Sequence, residues 1–188
     1  MLVLASSSPY RRMLLDRLRV PYAVAVPAVD EAPLPRELPE ATARRLAEMK
    51  ARAVAADFPN AVVIGSDQVA SLDGKAIGKP GTHDAALAQL MEMRGRSAVF
   101  HTALCVLDSR GAHVECVPTA VRFRRYSETQ AAKYLAADQP YDCAGSAKIE
   151  SLGIALVSEV VSADPTALIG LPLVALVTML ESAGIAVL

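Results

Sequence analysis

Tryptophan is absent from this chain of 188 residues, and its other aromatics are three Phe and five Tyr, so any flat ligand that stacks here must do so on a phenyl or phenol ring. Cysteine is scarce. Cys105, Cys116 and Cys143 are odd in number and far apart, with no C-x-x-C and no matching pair of histidines, which excludes a disulfide framework and a zinc site and predicts reduced thiols. An excess of charge is also missing: 19 Lys and Arg face 20 Asp and Glu, a formal net charge of −1. A general nucleic-acid or acidic-membrane binder needs a basic surface, so any positive potential here must be local. The longest apolar run, Ala167 to Leu180, is about 14 residues with Gly170 and Pro172 inside it. That is short of the roughly 20 needed to cross a bilayer, and it predicts core. Leu2 to Ala5 is too short for the apolar centre of a signal peptide and meets a Ser-Ser-Ser-Pro turn at once, so the protein is expected in the cytoplasm. With no repeat and no low-complexity linker, residues 1–188 are expected to form a single domain, long enough to bury a core without staples.

What is present is an alternation of strand-like and helix-like segments. Leu2 to Ala5 reads as a buried strand, Pro9 to Arg19 as a helix with Leu14, Leu15 and Leu18 inward, and Val24 to Val26 as extended. The Pro-rich stretch from Pro27 to Pro39 reads as a loop carrying Asp30-Glu31. Pro39 to about Ala56 is helical in composition. Ala61 to Gly65 is a strand that delivers Ser66-Asp67-Gln68 at its C-terminal end, the edge at which open α/β sheets bind ligands. Gly78 to Gly81 is a loop, and a helix follows from Thr82 or His83 to Met93. Phe100 to Leu107 and Ala112 to Phe123 form an antiparallel pair, and Ser127 with Gln130 opens a capped helix to Ala137. Gly153 to Val161 reads as strand and Leu171 to Ala183 as a final buried helix. The expected fold class is α/β (α+β): a mixed, twisted central sheet flanked by helices.

Several segments carry chemistry. Ser8 suits an N-cap and Pro9 a first helical residue, so the free N–H groups of that turn, with Arg11 and Arg12 beside them, make an anion site. Arg11, Arg12, Lys50 and Lys79 could together position a triphosphate. Lys50 alone, in an Ala/Arg/Glu-rich helix, would read as a solvated residue. Asp67 closes an apolar run, a poor place for a charge without a task. Its carboxylate is a weak base against water, a gap of roughly 12 pH units or about 16 kcal/mol, which points to a divalent cation that acidifies the water, with Glu31 the natural second carboxylate. His83, His101 and His113 have no metal-ligand spacing and read as structural or surface residues.

Read in order, these segments resemble the Maf family of nucleotide pyrophosphatases along nearly the whole chain. The matching motifs are Leu4-Ala5-Ser6-x-Ser8-Pro9-x-Arg11-Arg12, Asp30-Glu31, Lys50, Ile64-Gly65-Ser66-Asp67-Gln68, Gly78-Lys79-Pro80, Ala144-Gly145-Ser146 with Glu150, and Gly170-Leu171-Pro172. The resemblance implies a Maf/inosine triphosphatase-like fold with a cleft between two lobes. It implies a metal-dependent nucleoside triphosphate pyrophosphatase using Mg2+ or Mn2+ held by Glu31 and Asp67, with Asp67 as proton acceptor and Glu31, Lys50 and Lys79 as catalytic partners. Ser8, Arg11 and Arg12 would bind substrate phosphate. Ser-Asp-Gln with Glu150 is similar to the bacterial branch acting on 7-methyl-GTP, whereas dTTP and UTP branches more usually show Ala-Asp-Thr and a later glutamine. Tyr10, Gln68 and Glu150 would then select the base, because a carboxylate accepts both edge donors of guanine and a cationic ring stacks on an aromatic face. Alternatives are a dTTP/UTP pyrophosphatase and a non-catalytic nucleotide-binding regulator of septum formation. No membrane and no stable nucleic-acid partner are expected, and a homodimer is compatible with the family. Thr102-Ala103 and Ala163-Asp164 depart from the Thr-Gly and Gly-Asp of relatives, and Tyr10 stands where this branch carries Trp.

Overall fold

The computed structural model describes all 188 residues. Strands β1 (Leu2–Ala5), β2 (Ala23–Ala25), β3 (Val62–Leu72), β4 (Lys75–Ile77), β5 (Ser97–Asp108), β6 (Gly111–Phe123) and β7 (Val157–Ser162) join in one sheet of order β2-β1-β3-β5-β6-β7, with β4 hairpinned onto β3. The β2-β1-β3 portion is parallel and everything beyond it antiparallel. Helices α1 (Pro9–Leu15), α2 (Pro39–Ala55), α3 (His83–Met93), α4 (Glu128–Asp138) and α5 (Leu173–Ser182) cover it. This is the mixed sheet flanked by helices that the pattern predicts.

Strand alternation sorts the core. Leu2, Leu4, Ile64 and Leu104 pack with Leu14, Leu15, Leu171, Leu176 and Leu180 on one face, while Val3, Ala5, Val63 and Ala103 pack under Ala43, Ala47 and Ala51 of α2 on the other. A separate core farther along β3, β5 and β6 gathers Ala70, Leu72, Phe100 and Phe123 with Leu90 of α3 and Tyr134 and Leu135 of α4. The long strands thus run through two lobes. Ser66 and Gln68 share the parity of Ile64 and Ala70, so on that face two polar residues interrupt the apolar series where one core gives way to the next.

Three expectations are corrected. β3 does not stop at Gly65 but runs to Leu72, because Ser66, Asp67 and Gln68 pair in register with Leu104, Ala103 and Thr102 of β5. Asp67 is therefore in mid-strand; the strand that does end there is β1, whose Ala5 pairs with Gly65. Helix α1 is shorter than expected, passing into a 3₁₀ turn at Asp16–Leu18 and closing at Arg19 with φ 55°. The segment from Leu152 to Leu156 is 3₁₀, and β7 begins only at Val157.

Candidate active site

Where β1 ends, the chain turns through a built loop. Ser6 N donates to the Ala25 carbonyl at 3.0 Å, Ser8 N to Ser6 Oγ at 3.1 Å, and Arg11 N to Ser8 Oγ at 3.4 Å, so Ser8 caps α1 with Pro9 next to it as expected. Arg11 Nε donates to the Gly170 carbonyl at 2.9 Å, which fixes the guanidinium while its Nη groups make no protein hydrogen bond. Burial pulls Arg11 below its ordinary pKa, opposed by the charges of Asp67 and Glu31. Arg12 lies exposed on the same turn, and its side chain does not join this set.

Lys50 is not the solvated residue that its helix alone would suggest: it is 5% exposed, with Nζ 2.7 Å from Asp67 Oδ1 and 2.7 Å from Glu31 Oε1. Gly65 explains how. A Cβ there would stand 2.1 Å from the Ala47 carbonyl oxygen and 2.8 Å from Ala51 N, so only glycine lets α2 lie on β3 closely enough to set Lys50 over Asp67, two residues along the same face. Burial works to raise the Glu31 carboxyl, but the hydrogen bond and charge of Lys50, then Lys79 and Arg11, hold it below its ordinary value. Lys79, in its loop, is exposed yet near enough for that effect.

Behind these groups a polar lattice ties β3 and β5 to the loop before α5. Ser66 Oγ donates within reach of two carbonyls, Ala103 at 2.8 Å and Gly170 at 3.0 Å. Gln68 Nε2 lies 2.8 Å from Thr102 Oγ1, 3.1 Å from the Ala167 carbonyl and 3.0 Å from the Leu168 carbonyl. Its amide protons are thus spent inside the protein, leaving Oε1 as the atom available to a ligand. Asp164, 2% exposed, accepts from Thr166 N and Oγ1 and, at 2.6 Å, from Val174 N in the first turn of α5. Sequence reasoning missed these supports, although Thr102-Ala103, in the middle of β5, and Ala163-Asp164 already stood out as departures from relatives. Asp164 holds the loop that presents the Gly170 carbonyl to Arg11 and Ser66.

At the far end, Tyr10 of α1 faces Lys148, and Glu150 is exposed two residues beyond it. Burial raises Glu150 above its ordinary pKa, with Lys148 opposing and Asp138 and Asp142 adding to the rise. Tyr10 and Glu150 thus share Lys148 as a charged neighbour, and neither hydrogen-bonds Gln68. Two concavities of about 290 and about 330 Å3, lined in part by Arg110 and Ser182 and by Arg124 and Tyr134, include none of these residues.

No group of three or more His, Cys, Asp and Glu side chains is arranged for a metal. The donor chemistry still suits a hard cation: Glu31 and Asp67 already share one positive group, and Mg2+ is commonly held by one or two carboxylates together with substrate phosphates. The three cysteines are free, as expected.

The arrangement sets a carboxylate pair, a buried lysine and a fixed arginine at a strand end, the grouping needed to hold a polyphosphate beside a proton acceptor. Known proteins of this build exist. The 7-methyl-GTP pyrophosphatase of Cupriavidus metallidurans is 58% identical over 185 residues, 97% of this chain and 93% of its own. That of Ralstonia nicotianae is 60% identical over 183 residues, 96% and 94% of the two chains. That of Methylobacillus flagellatus is 56% identical over 189 residues, 100% and 98%. The family described as Maf-like protein matches residues 1–183, and the chain belongs to it.

Proposed function

We propose that this chain is a nucleoside triphosphate pyrophosphatase that hydrolyses 7-methyl-GTP to 7-methyl-GMP and pyrophosphate, removing a modified nucleotide in the cytoplasm. The observation that carries the reading is the contact of Lys50 with Asp67 and Glu31, 2.7 Å each, beside a fixed Arg11. Relatives of this length and similarity bear the 7-methyl-GTP pyrophosphatase name, which supports the substrate.

In this mechanism Arg11, Lys79 and the Ser8 turn hold the phosphates. A water oxygen attacks the α phosphorus, the bond to the oxygen bridging α and β phosphates breaks, and pyrophosphate leaves. Asp67 orients the water and takes its proton. Lys50, 2.7 Å from Oδ1, keeps Asp67 aimed, and Arg11 offers charge to the oxygens on which negative charge grows. Mg2+ or Mn2+ held by Glu31 and Asp67 would neutralise the polyphosphate and acidify the water. Tyr10 and Glu150 would take the base, with Gln68 contributing through Oε1.

Pyrophosphate release from a panel of 7-methyl-GTP, GTP, UTP and dTTP, with and without Mg2+ or Mn2+, tests this. The expected result is metal-dependent release with kcat/KM for 7-methyl-GTP at least about tenfold above UTP and dTTP. Faster hydrolysis of dTTP or UTP would overturn the substrate, and no release from any nucleotide would overturn the activity.

A further inference from the structure

We propose that Lys148 is a positioning residue for base selection, locking Tyr10 and Glu150 into one frame; this rests on the reading above. The main chain at Lys148 is held from three sides. Its N–H donates to Tyr134 Oη at 2.8 Å, its carbonyl accepts from Ser151 N at 3.1 Å, and Gly153 packs so close that a Cβ there would stand 2.4 Å from that carbonyl oxygen. The turn that carries Glu150 is therefore tied to α4 and to Gly153 through the Lys148 main chain.

The side chain crosses back. Nζ donates to the Asp138 carbonyl at 3.1 Å, at the C-terminal end of α4 where cations are favoured, and lies 3.8 Å from Asp142 Oδ1. On the same side it faces the Tyr10 phenol. Lys148 thus reaches from its own turn to the α4 end, with Tyr10 and Glu150 both close enough to feel its charge, and it is only 17% exposed. Its charge only partly offsets the carboxylates around it, so its contribution to the base is through position and not through attraction. Asp138, Asp142 and Glu150 are near enough to influence one another, and with one ammonium among three carboxylates the base end carries a negative balance, opposite in sign to the Arg11 and Lys79 end. A methylated, cationic base fits the first end and a polyphosphate the second.

The test compares Lys148→Met, which keeps the stem and removes the charge, with Lys148→Arg, which keeps both charge and donor. Steady-state kinetics on 7-methyl-GTP, GTP and UTP are read with thermal melting as the check on folding. Lys148→Met is expected to raise KM for 7-methyl-GTP at least fivefold, leaving kcat and the UTP kinetics within about twofold, and Lys148→Arg to restore at least half of the preference. If Lys148→Met does not fold, Lys148→Gln, which retains a donor for the Asp138 carbonyl, carries the same expectation. An unchanged ranking of bases, or an equal loss on every nucleotide, overturns the inference. A wild type with no preference for 7-methyl-GTP overturns the functional reading instead, and the inference then stands or falls on whether Lys148→Met changes the wild type's own ranking.

Discussion

Lys50 Nζ and Asp67 Oδ1 are 2.7 Å apart with both side chains nearly closed to solvent, at 6% and 9% exposure. A buried ion pair of this kind is weak evidence for stability, since desolvating both charges offsets their attraction. Its value here is geometric. The ammonium holds one Asp67 oxygen in place, and no protein group hydrogen-bonds the other.

Asp67→Asn keeps that shape and removes the charge to which the proposed mechanism assigns the proton. We expect kcat on 7-methyl-GTP to fall at least about 10²-fold, with nucleotide affinity by calorimetry within about threefold of wild type. Turnover within threefold of wild type would remove Asp67 from the role of proton acceptor.

Gly65→Ala tests how the pair is built. The added Cβ meets the Ala47 carbonyl oxygen at 2.1 Å, Ala51 N at 2.8 Å and Ala51 Cβ at 2.9 Å, and the first two are main chain that cannot rotate away. Helix α2 must move off β3 and take Lys50 with it. Overpacking costs about 1–3 kcal/mol, so the denaturation midpoint and kcat should drop together. An unchanged midpoint would mean that the α2–β3 contact is softer than this packing implies.

How much of this was legible in the chain depends on whether the signal was local. The Ser127 capping box and the Ser8 cap were readable because each is made by neighbours in sequence, and both are present. Asp67 was readable because a charge ends an apolar run. The continuation of β3 was hidden, since Ser-Asp-Gln has the chemistry of a turn and only pairing with Leu104, Ala103 and Thr102 makes it a strand. Burial of Lys50 was hidden by its charged neighbours, although Ala43, Ala47, Ala51 and Val54 mark an inward face that includes position 50 at helical spacing. The anchoring of Arg11 by the Gly170 carbonyl, a contact between residues 159 apart, had no sequence signal.

Acid stability should report the Glu31 contact. Its carboxyl titrates below the ordinary 4.5 in the folded protein, because Lys50, Lys79 and Arg11 outweigh desolvation. A depressed carboxylate contributes stability that is present above the unfolded value and is lost as pH falls through the folded one. The side chain is 53% exposed, so screening keeps the contribution below about 1 kcal/mol. Melting temperatures taken from pH 7 down to about pH 3 should fall more steeply for wild type than for Glu31→Gln. Parallel curves would show that Glu31 contributes nothing to the acid limb.

Glu150→Gln separates recognition of a cationic purine from general affinity for triphosphates. Glu150 is exposed at the end proposed to take the base, far along the chain from Asp67 and Lys50, and its neighbours Asp138 and Asp142 share its sign. Against a carboxylate, the paired donors of guanine gain two charge-assisted hydrogen bonds, whereas a uracil or thymine sets a carbonyl against it. The amide keeps one acceptor and replaces the other with a donor, so the methylated guanine should lose most. We expect the ratio of kcat/KM for 7-methyl-GTP over UTP to fall at least about fivefold, roughly 1 kcal/mol, mainly through KM for 7-methyl-GTP. Tyr10→Ala should act in the same direction, because the cationic ring loses its aromatic face. Were both variants to weaken all nucleotides alike, these residues would be parts of the fold at the base end and not its means of telling one base from another.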